Sequence, residues 1–200
     1  MKKTMFLALP VLALAFLTMT PADPLPLGAS IPNAESKMKD ISGKEVSFKD
    51  ATKKNGLLVM FSCNTCPIVK GYQARTVEAA KHALGSEVGV ILLNPNEATR
   101  TSGDGFDDMK DYAKKSGYSF SYVLDVNSKM ADAFGANRTP ECFLFDKNGK
   151  LVYHGAIDDN AGDADGVTRK HLIKAIDEVK AGSEVSIKES KSVGCTIKRV

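Results

Sequence analysis

The chain has 200 residues, 43% of them hydrophobic and 26% charged, with a formal net charge of +3. That is enough for one compact domain with its own core, too short to favour two, and ordinary for a globular protein. Lys2 and Lys3 are the only charged residues among the first 22, and without them 25 basic face 24 acidic residues, a net charge of +1 that argues against nucleic acid or an anionic membrane surface as a partner.

The opening "MKKTMFLALPVLALAFLTMTPA" has a basic start, an apolar run from Met5 to about Met19, and small residues near Ala22. It reads as a secretory signal peptide over residues 1–22. The run is broken by Pro10 and falls short of the ~20 residues a spanning helix needs, so no integral membrane segment is expected in the mature chain. A periplasmic or secreted location follows. Disulfides persist in such a compartment, which makes the pairing of Cys63, Cys66, Cys142 and Cys195 the central question.

Residues 21–36 carry four prolines and no periodicity, as an extended arm or linker would. "MKDISGKEVSFKDA" (38–51) alternates around Ser42-Gly43 and predicts a hairpin. "GLLVMFS" is a continuous apolar run, expected of a strand buried on both faces. A helix is predicted from Pro67 to Leu84, stopped by Gly85, and "EVGVILLN" (87–94) predicts a second buried strand. After the polar loop 94–105, Phe106, Met109 and Ala113 recur at helical spacing up to Gly117. "YVLD" (122–125) suggests a short strand, and Ser128 a cap for a short helix ending at Phe134-Gly135. "CFLFDKNGKLVYHG" (142–155) is a hairpin around Asn148-Gly149. Leu172, Ile176 and Val179 mark a final helix closed by Gly182, and weak strand character follows at Val185 to Ile187. A buried strand, a helix and a second buried strand suggest a parallel βαβ unit. The later hairpin adds antiparallel strands, which gives an α/β fold with a central mixed sheet flanked by helices and preceded by an N-terminal β-hairpin extension.

"LVMFSCNTCPIVKGY" places Cys63 and Cys66 between a buried strand and a helix start. Zinc sites pair one CxxC with another or with spaced histidines. Cys142 and Cys195 stand alone, and His82, His154 and His171 lack ligand spacing, so no metal and no cofactor is expected. A purely structural bridge would close so short a loop that it constrains the unfolded chain little. A redox pair fits better, because a helix N-terminus favours the thiolate. The segment "DDNAGDADG" (158–166) fails the calcium-loop register and reads as a solvated loop capping the next helix.

From about residue 29 to 181 the chain resembles the thioredoxin superfamily, in its redoxin branch of peroxiredoxin-like and exported thioredoxin-like proteins. The resemblance rests on "DISGKEVSF", "LLVMFSCNTCP", "RTPECFLFDKNGKLVYHGAIDD" and the final helix. It implies a thioredoxin-like domain over residues 23–182, with Thr139 and a cis Pro140 facing the cysteine pair. It also implies an ordered tail, 183–200, packed on or near that domain, since "GCTIK" resembles the endings of some redoxin-like relatives. The implied activity is thiol–disulfide exchange on protein or small-molecule thiols and disulfides through a dominant Cys63–Cys66 bridge.

Counted from Phe61, Cys66 falls where relatives place the attacking cysteine, with Pro67 at the first helical position; the usual CxxC assignment gives the reverse order. Ser62, Asn64-Thr65 and Met60 depart from ordinary thioredoxins, and Cys63 stands where peroxidases carry a threonine. Cys142 is expected to be a buried inert thiol, and Arg138 to face the thiolate. Cys195 is either a free thiol or a third redox cysteine. Two alternatives stay open: a peroxiredoxin-like thiol peroxidase, and a copper-handling module resembling the Sco group with His154 as the distant ligand, although that group spaces its cysteines CxxxC.

Overall fold

The computed structural model describes residues 23–200, and the leader expected over residues 1–22 lies outside the described residues. The proline-rich arm lies along the domain: Leu25 N–H donates to the Phe134 carbonyl (2.9 Å) and Gly28 N–H to that of Leu151 (2.8 Å). The opening hairpin consists of β1 (Met38–Lys39) and β2 (Glu45–Val46). It ends earlier than the alternation suggests, in a single-turn helix α1 (Phe48–Ala51). Ser47 and Asp50 close a capping box there, with Ser47 N–H on Asp50 Oδ2 (2.8 Å) and Asp50 N–H on Ser47 Oγ (3.2 Å).

The body of the fold runs β3 (Gly56–Phe61), α2 (Pro67–Gly85), β4 (Val88–Asn94), α3 (Phe106–Ser116) and β5 (Ser121–Leu124). Next come α4 (Lys129–Phe134), β6 (Arg138–Thr139), β7 (Glu141–Phe145), β8 (Leu151–Gly155), α5 (His171–Lys180) and β9 (Cys195–Thr196). The central sheet has the order β5-β4-β3-β7-β8, with β3, β4 and β5 parallel and β7 and β8 antiparallel to their neighbours. This is the mixed sheet that the order of elements predicts. β3 and β4 are apolar throughout because both of their faces are covered.

One face buries Leu58, Met60, Leu92 and Leu144 under α2, α3 and α5, and Ala79, Ala80 and Ala83 let α2 lie close to the strands. The other buries Val59, Phe61, Leu93 and Phe143 under α1 and α4. There Phe134 meets Phe61 edge-on at 5.4 Å and Phe143 at 5.2 Å.

Three local expectations change. Ser128 is the N-cap residue of α4, but its hydroxyl donates to the Pro95 carbonyl (2.6 Å). The Asp125 carboxylate caps α4 instead, accepting from the N–H groups of Met130 (2.8 Å) and Ala131 (2.9 Å). The 158–166 loop does not cap α5; its Asp159 accepts from Thr168 N–H (3.0 Å). No strand forms at 185–187, because the Glu178 carboxylate takes the Ser186 N–H (2.9 Å) and Val185 is buried as an anchor. The tail instead touches the edge of β8 at residues 188–190, with His154 N–H on the Lys188 carbonyl (2.9 Å), and then crosses to pair as β9 with β6.

Candidate active site

β3 ends at Phe61, and five residues later Cys66 occupies the N-cap of α2, with Pro67 at the first helical position. Pro67 has no N–H to leave unpaired there, and α2, 19 residues long, directs its positive end at Cys66. Cys63 is fully buried and Cys66 only 4% exposed. Burial raises the Cys63 thiol above the ordinary cysteine range, while the Thr139 hydroxyl 3.2 Å from its sulfur and the backbone N–H groups of Cys66 and Thr65 pull the other way. The Asp104 charge adds to the upward shift.

The loop between the two cysteines is fastened by Asp104, a buried residue the sequence reading did not single out. Its Oδ1 accepts from Asn64 N–H (2.7 Å) and Asn94 Nδ2 (3.0 Å). Its Oδ2 accepts from Thr65 Oγ1 (2.7 Å), Thr99 Oγ1 (2.8 Å) and Asn96 Nδ2 (3.2 Å). Burial alone would raise this carboxyl, yet the donors together hold it below its ordinary range. Tyr122 adds a hydrogen bond to the Asn64 side chain (2.9 Å). The signal in the sequence is faint: a long polar loop, "NPNEATRTSGDG", rich in Asn and Thr, with two acids, Glu97 and Asp104.

Facing the cysteines is the turn into β7, where the Thr139–Pro140 peptide is cis. Thr139 presents its hydroxyl to Cys63 and its carbonyl to Cys66, whose sulfur lies 3.5 Å away. A second buried carboxylate, Glu141, shapes this turn: Oε2 accepts from Asn137 N–H (2.8 Å) and Arg138 N–H (2.9 Å), and Oε1 pairs with His154 Nε2 (2.7 Å). His154 is thereby committed to Glu141 and stacked on Phe143. Among the described residues no cluster of three or more His, Cys, Asp or Glu side chains is arranged to hold a metal.

The bridge expected between Cys63 and Cys66 is not the one formed. Cys66 is bonded to Cys195, 129 residues on, with 6.1 Å between Cα atoms, and Cys63 is a free thiol. The reason is tertiary. β9 pairs antiparallel with β6, Thr139 opposite Cys195 and Arg138 opposite Thr196, which lays the tail sulfur over Cys66. Ile197 then buries in the core on the α1 and α4 face of the sheet, and Arg138 donates to the Gly194 carbonyl (3.1 Å), so the guanidinium expected at the thiolate is turned to the tail. Gly194 has no alternative, because a Cβ there would stand 2.2 Å from the Thr139 carbonyl oxygen. Cys142 is buried on β7 opposite Met60, and burial raises its thiol well above the ordinary range.

Residues 27–154 match the AhpC/TSA family. Among solved structures the chain is 32% identical to an uncharacterized conserved protein from Geobacillus kaustophilus (TM-score 0.81, covering 88% of this chain and 93% of that one). It is 30% identical to a hypothetical protein from Sinorhizobium meliloti 1021 (TM-score 0.80, covering 89% and 97%). A PrxQ variant from Xylella fastidiosa shares the fold at 13% identity (TM-score 0.59, covering 80% and 99%). A search of curated protein sequences finds no match.

Proposed function

The chain belongs to the AhpC/TSA family, and on that premise we propose that it is an exported thiol–disulfide oxidoreductase whose attacking sulfur is Cys66. The observation that carries this reading is the position of Cys66. It sits at the N-cap of α2, its sulfur lies against the Thr139–Pro140 turn, and it has a bonded cysteine on one side and a free one three residues upstream. The Cys66 thiolate attacks a substrate disulfide and forms a mixed disulfide, and one substrate sulfur leaves as thiolate. A second thiol of the protein, Cys63 in the CxxC pairing or Cys195 in the pairing described above, attacks Cys66 and releases the reduced substrate. Export is supported by the basic start and apolar run of residues 1–22 and by the use of a disulfide.

Two measurements test this. Alkylation rate against pH on Cys63→Ser and Cys66→Ser variants should find the more acidic thiol at Cys66; the reverse order would reject it as the attacking sulfur. N-terminal sequencing of protein recovered outside the cytoplasm should begin near residue 23, and an intact cytoplasmic Met1 would reject export.

A thiol peroxidase is the second reading, favoured by the Cys66–Cys195 bridge itself. In that cycle Cys66 takes oxygen from a peroxide to become a sulfenic acid, and Cys195 condenses with it, releasing water. Paired assays of insulin reduction and peroxide consumption separate the two. Peroxide turnover lost in Cys195→Ser, without insulin reduction, would select the peroxidase.

A further inference from the structure

Three sulfurs meet around one residue. Thr139 offers its hydroxyl to Cys63, its carbonyl lies 3.5 Å from the sulfur of Cys66, and its backbone pairs with Cys195. Cys63 is sealed from solvent, yet its sulfur faces the N–H groups of Thr65 and Cys66, donors that stabilise a thiolate as it forms. Cys63, Cys66 and Val69 pack as one cluster, with Cys195 against it. A thiol held beside a disulfide is positioned to exchange with it.

We propose that Cys63 exchanges internally with the tail, so that the oxidised protein interconverts between a Cys66–Cys195 isomer with the tail tied down and a Cys63–Cys66 isomer with the tail untied. The Cys63 thiolate attacks Cys66 Sγ; the Cys63–Cys66 bond forms as the Cys66–Cys195 bond breaks. The electron pair leaves on the Cys195 sulfur, which takes up a proton equivalent to the one Cys63 gave up. The protein stays two electrons oxidised throughout, and no outside oxidant or reductant is consumed. The proposal rests on Cys66 being the redox-active sulfur, as argued above.

The exchange matters for access. In the tied isomer Cys66 is almost fully covered, so a partner reaches it only after residues 194–197 move away. Beyond the bridge, that stretch is held by a two-residue ladder, one buried isoleucine whose N–H donates to the Asn137 carbonyl (3.0 Å), and the Arg138–Gly194 bond. Lys198 N–H on Asn96 Oδ1 (3.0 Å) and Arg199 on Asp132 (2.8 Å) anchor the residues that follow. Moving the bridge inward to Cys63 removes the covalent tie. It leaves Cys195, the one partly exposed residue of the three, as a free thiol on a loosened tail.

The rate should rise with pH, because exchange needs the Cys63 thiolate. The titratable groups that face Cys63 are Asp104 and the hydroxyls of Tyr112, Tyr118 and Tyr122, none of them cationic.

The test uses the full mature chain, oxidised, incubated from pH 6 to pH 9, acid-quenched, alkylated and mapped by mass. The wild type should show both bridges, in a ratio that does not depend on oxidant concentration, approached about tenfold faster per pH unit below the Cys63 pKa. Ile197→Ala should raise the Cys63–Cys66 fraction roughly tenfold, since it removes the tail's buried anchor. Cys63→Ser and Cys63→Ala, both checked for native circular dichroism, should hold only Cys66–Cys195 and give slower amide exchange at 194–198 than the wild type. A wild type that keeps Cys66–Cys195 intact at every pH with Cys63 always recovered as the free thiol overturns the proposal. Insulin reduction, measured in parallel, tells the two ideas apart: exchange without turnover rejects the oxidoreductase reading alone, and turnover with an inert Cys63 rejects the exchange alone.

Discussion

The two walls that meet at Cys66 are built differently. On the α2 side, the loop 63–66 is fastened to the 94–105 loop by the buried Asp104 carboxylate, which takes five hydrogen bonds. Arg100 ties the same loops together by donating to the carbonyls of Asp104 (2.9 Å), Asn94 (2.6 Å) and Asp125 (2.9 Å). On the tail side, residues 194–197 lie along the edge of the domain, held by a short ladder, one buried side chain, the hydrogen bonds of Gly194 with Arg138 and of Ile197 with Asn137, and one covalent bond. The first wall is a dense polar network in a dry setting, and none of its bonds is one that redox chemistry breaks. The second owes much of its hold to a bond that redox chemistry makes and breaks. A thiol site needs both: a fixed cradle for the sulfur and a cover that can leave.

The largest effect should come from breaking the fixed wall. Asp104→Ala leaves several buried donors unpaired and should cost about 4 kcal/mol or more in a denaturant melt. The Asp104 carboxyl is held below its ordinary range, so its stabilisation is present at neutral pH and disappears as the pH falls through the folded value. The variant should therefore lose part of the wild type's acid sensitivity. A variant within about 1 kcal/mol of wild type would mean the network is not what holds the cysteine loop.

Reduction should rank next. The bridge spans 129 residues; chain-entropy arithmetic for a loop of that size gives about 5 kcal/mol, of which disulfides typically deliver about 2 to 4 kcal/mol. Adding dithiothreitol should lower the stability of the wild type by that amount and leave Cys195→Ser unchanged. If both respond equally, the tail bridge is not the source of the loss.

A second carboxylate on the fixed wall should respond to pH in the opposite sense. Burial raises Asp125 to about 6 from 3.8, against the opposing N–H groups of Met130 and Ala131. The folded state then keeps a proton that the unfolded state has released, so stability falls as the pH rises from about 4 to about 6 and is level above that. Two pH units amount to at most about 3 kcal/mol. Asp125→Asn should flatten this limb, and an unchanged slope would reassign it to another group.

The smallest effect belongs to the tail. Ile197→Ala should cost about 2 kcal/mol, the low end for a buried isoleucine because the cover can settle around the gap. The loss should show as faster amide exchange confined to the last residues of the chain. Exchange speeding up equally through β3 and β4 would mean the tail is part of the cooperative core.

Much of the fold was legible because its signals are local. The apolar runs of β3 and β4, Cys66-Pro67 at the start of α2, and Asn148-Gly149 between β7 and β8 are each written within a few residues, and each element formed where that spacing put it. Cys66 at the helix N-cap follows from the same count. The partner of Cys66 was not legible in this way. CxxC spacing favours a bridge to Cys63, the nearest sulfur along the chain. The bridge to Cys195 depends on β9 pairing with β6, two strands of two residues each, too short for any periodicity to mark. Asp104 belongs to the same class, because its bonds to Asn64 and Thr65 cross 40 and 39 positions of chain. The sequence by itself determined the elements and the sulfur at the head of α2. Only packing decided which cysteine that sulfur bonds and which carboxylate fastens its loop, because those contacts join residues 39 to 129 positions apart.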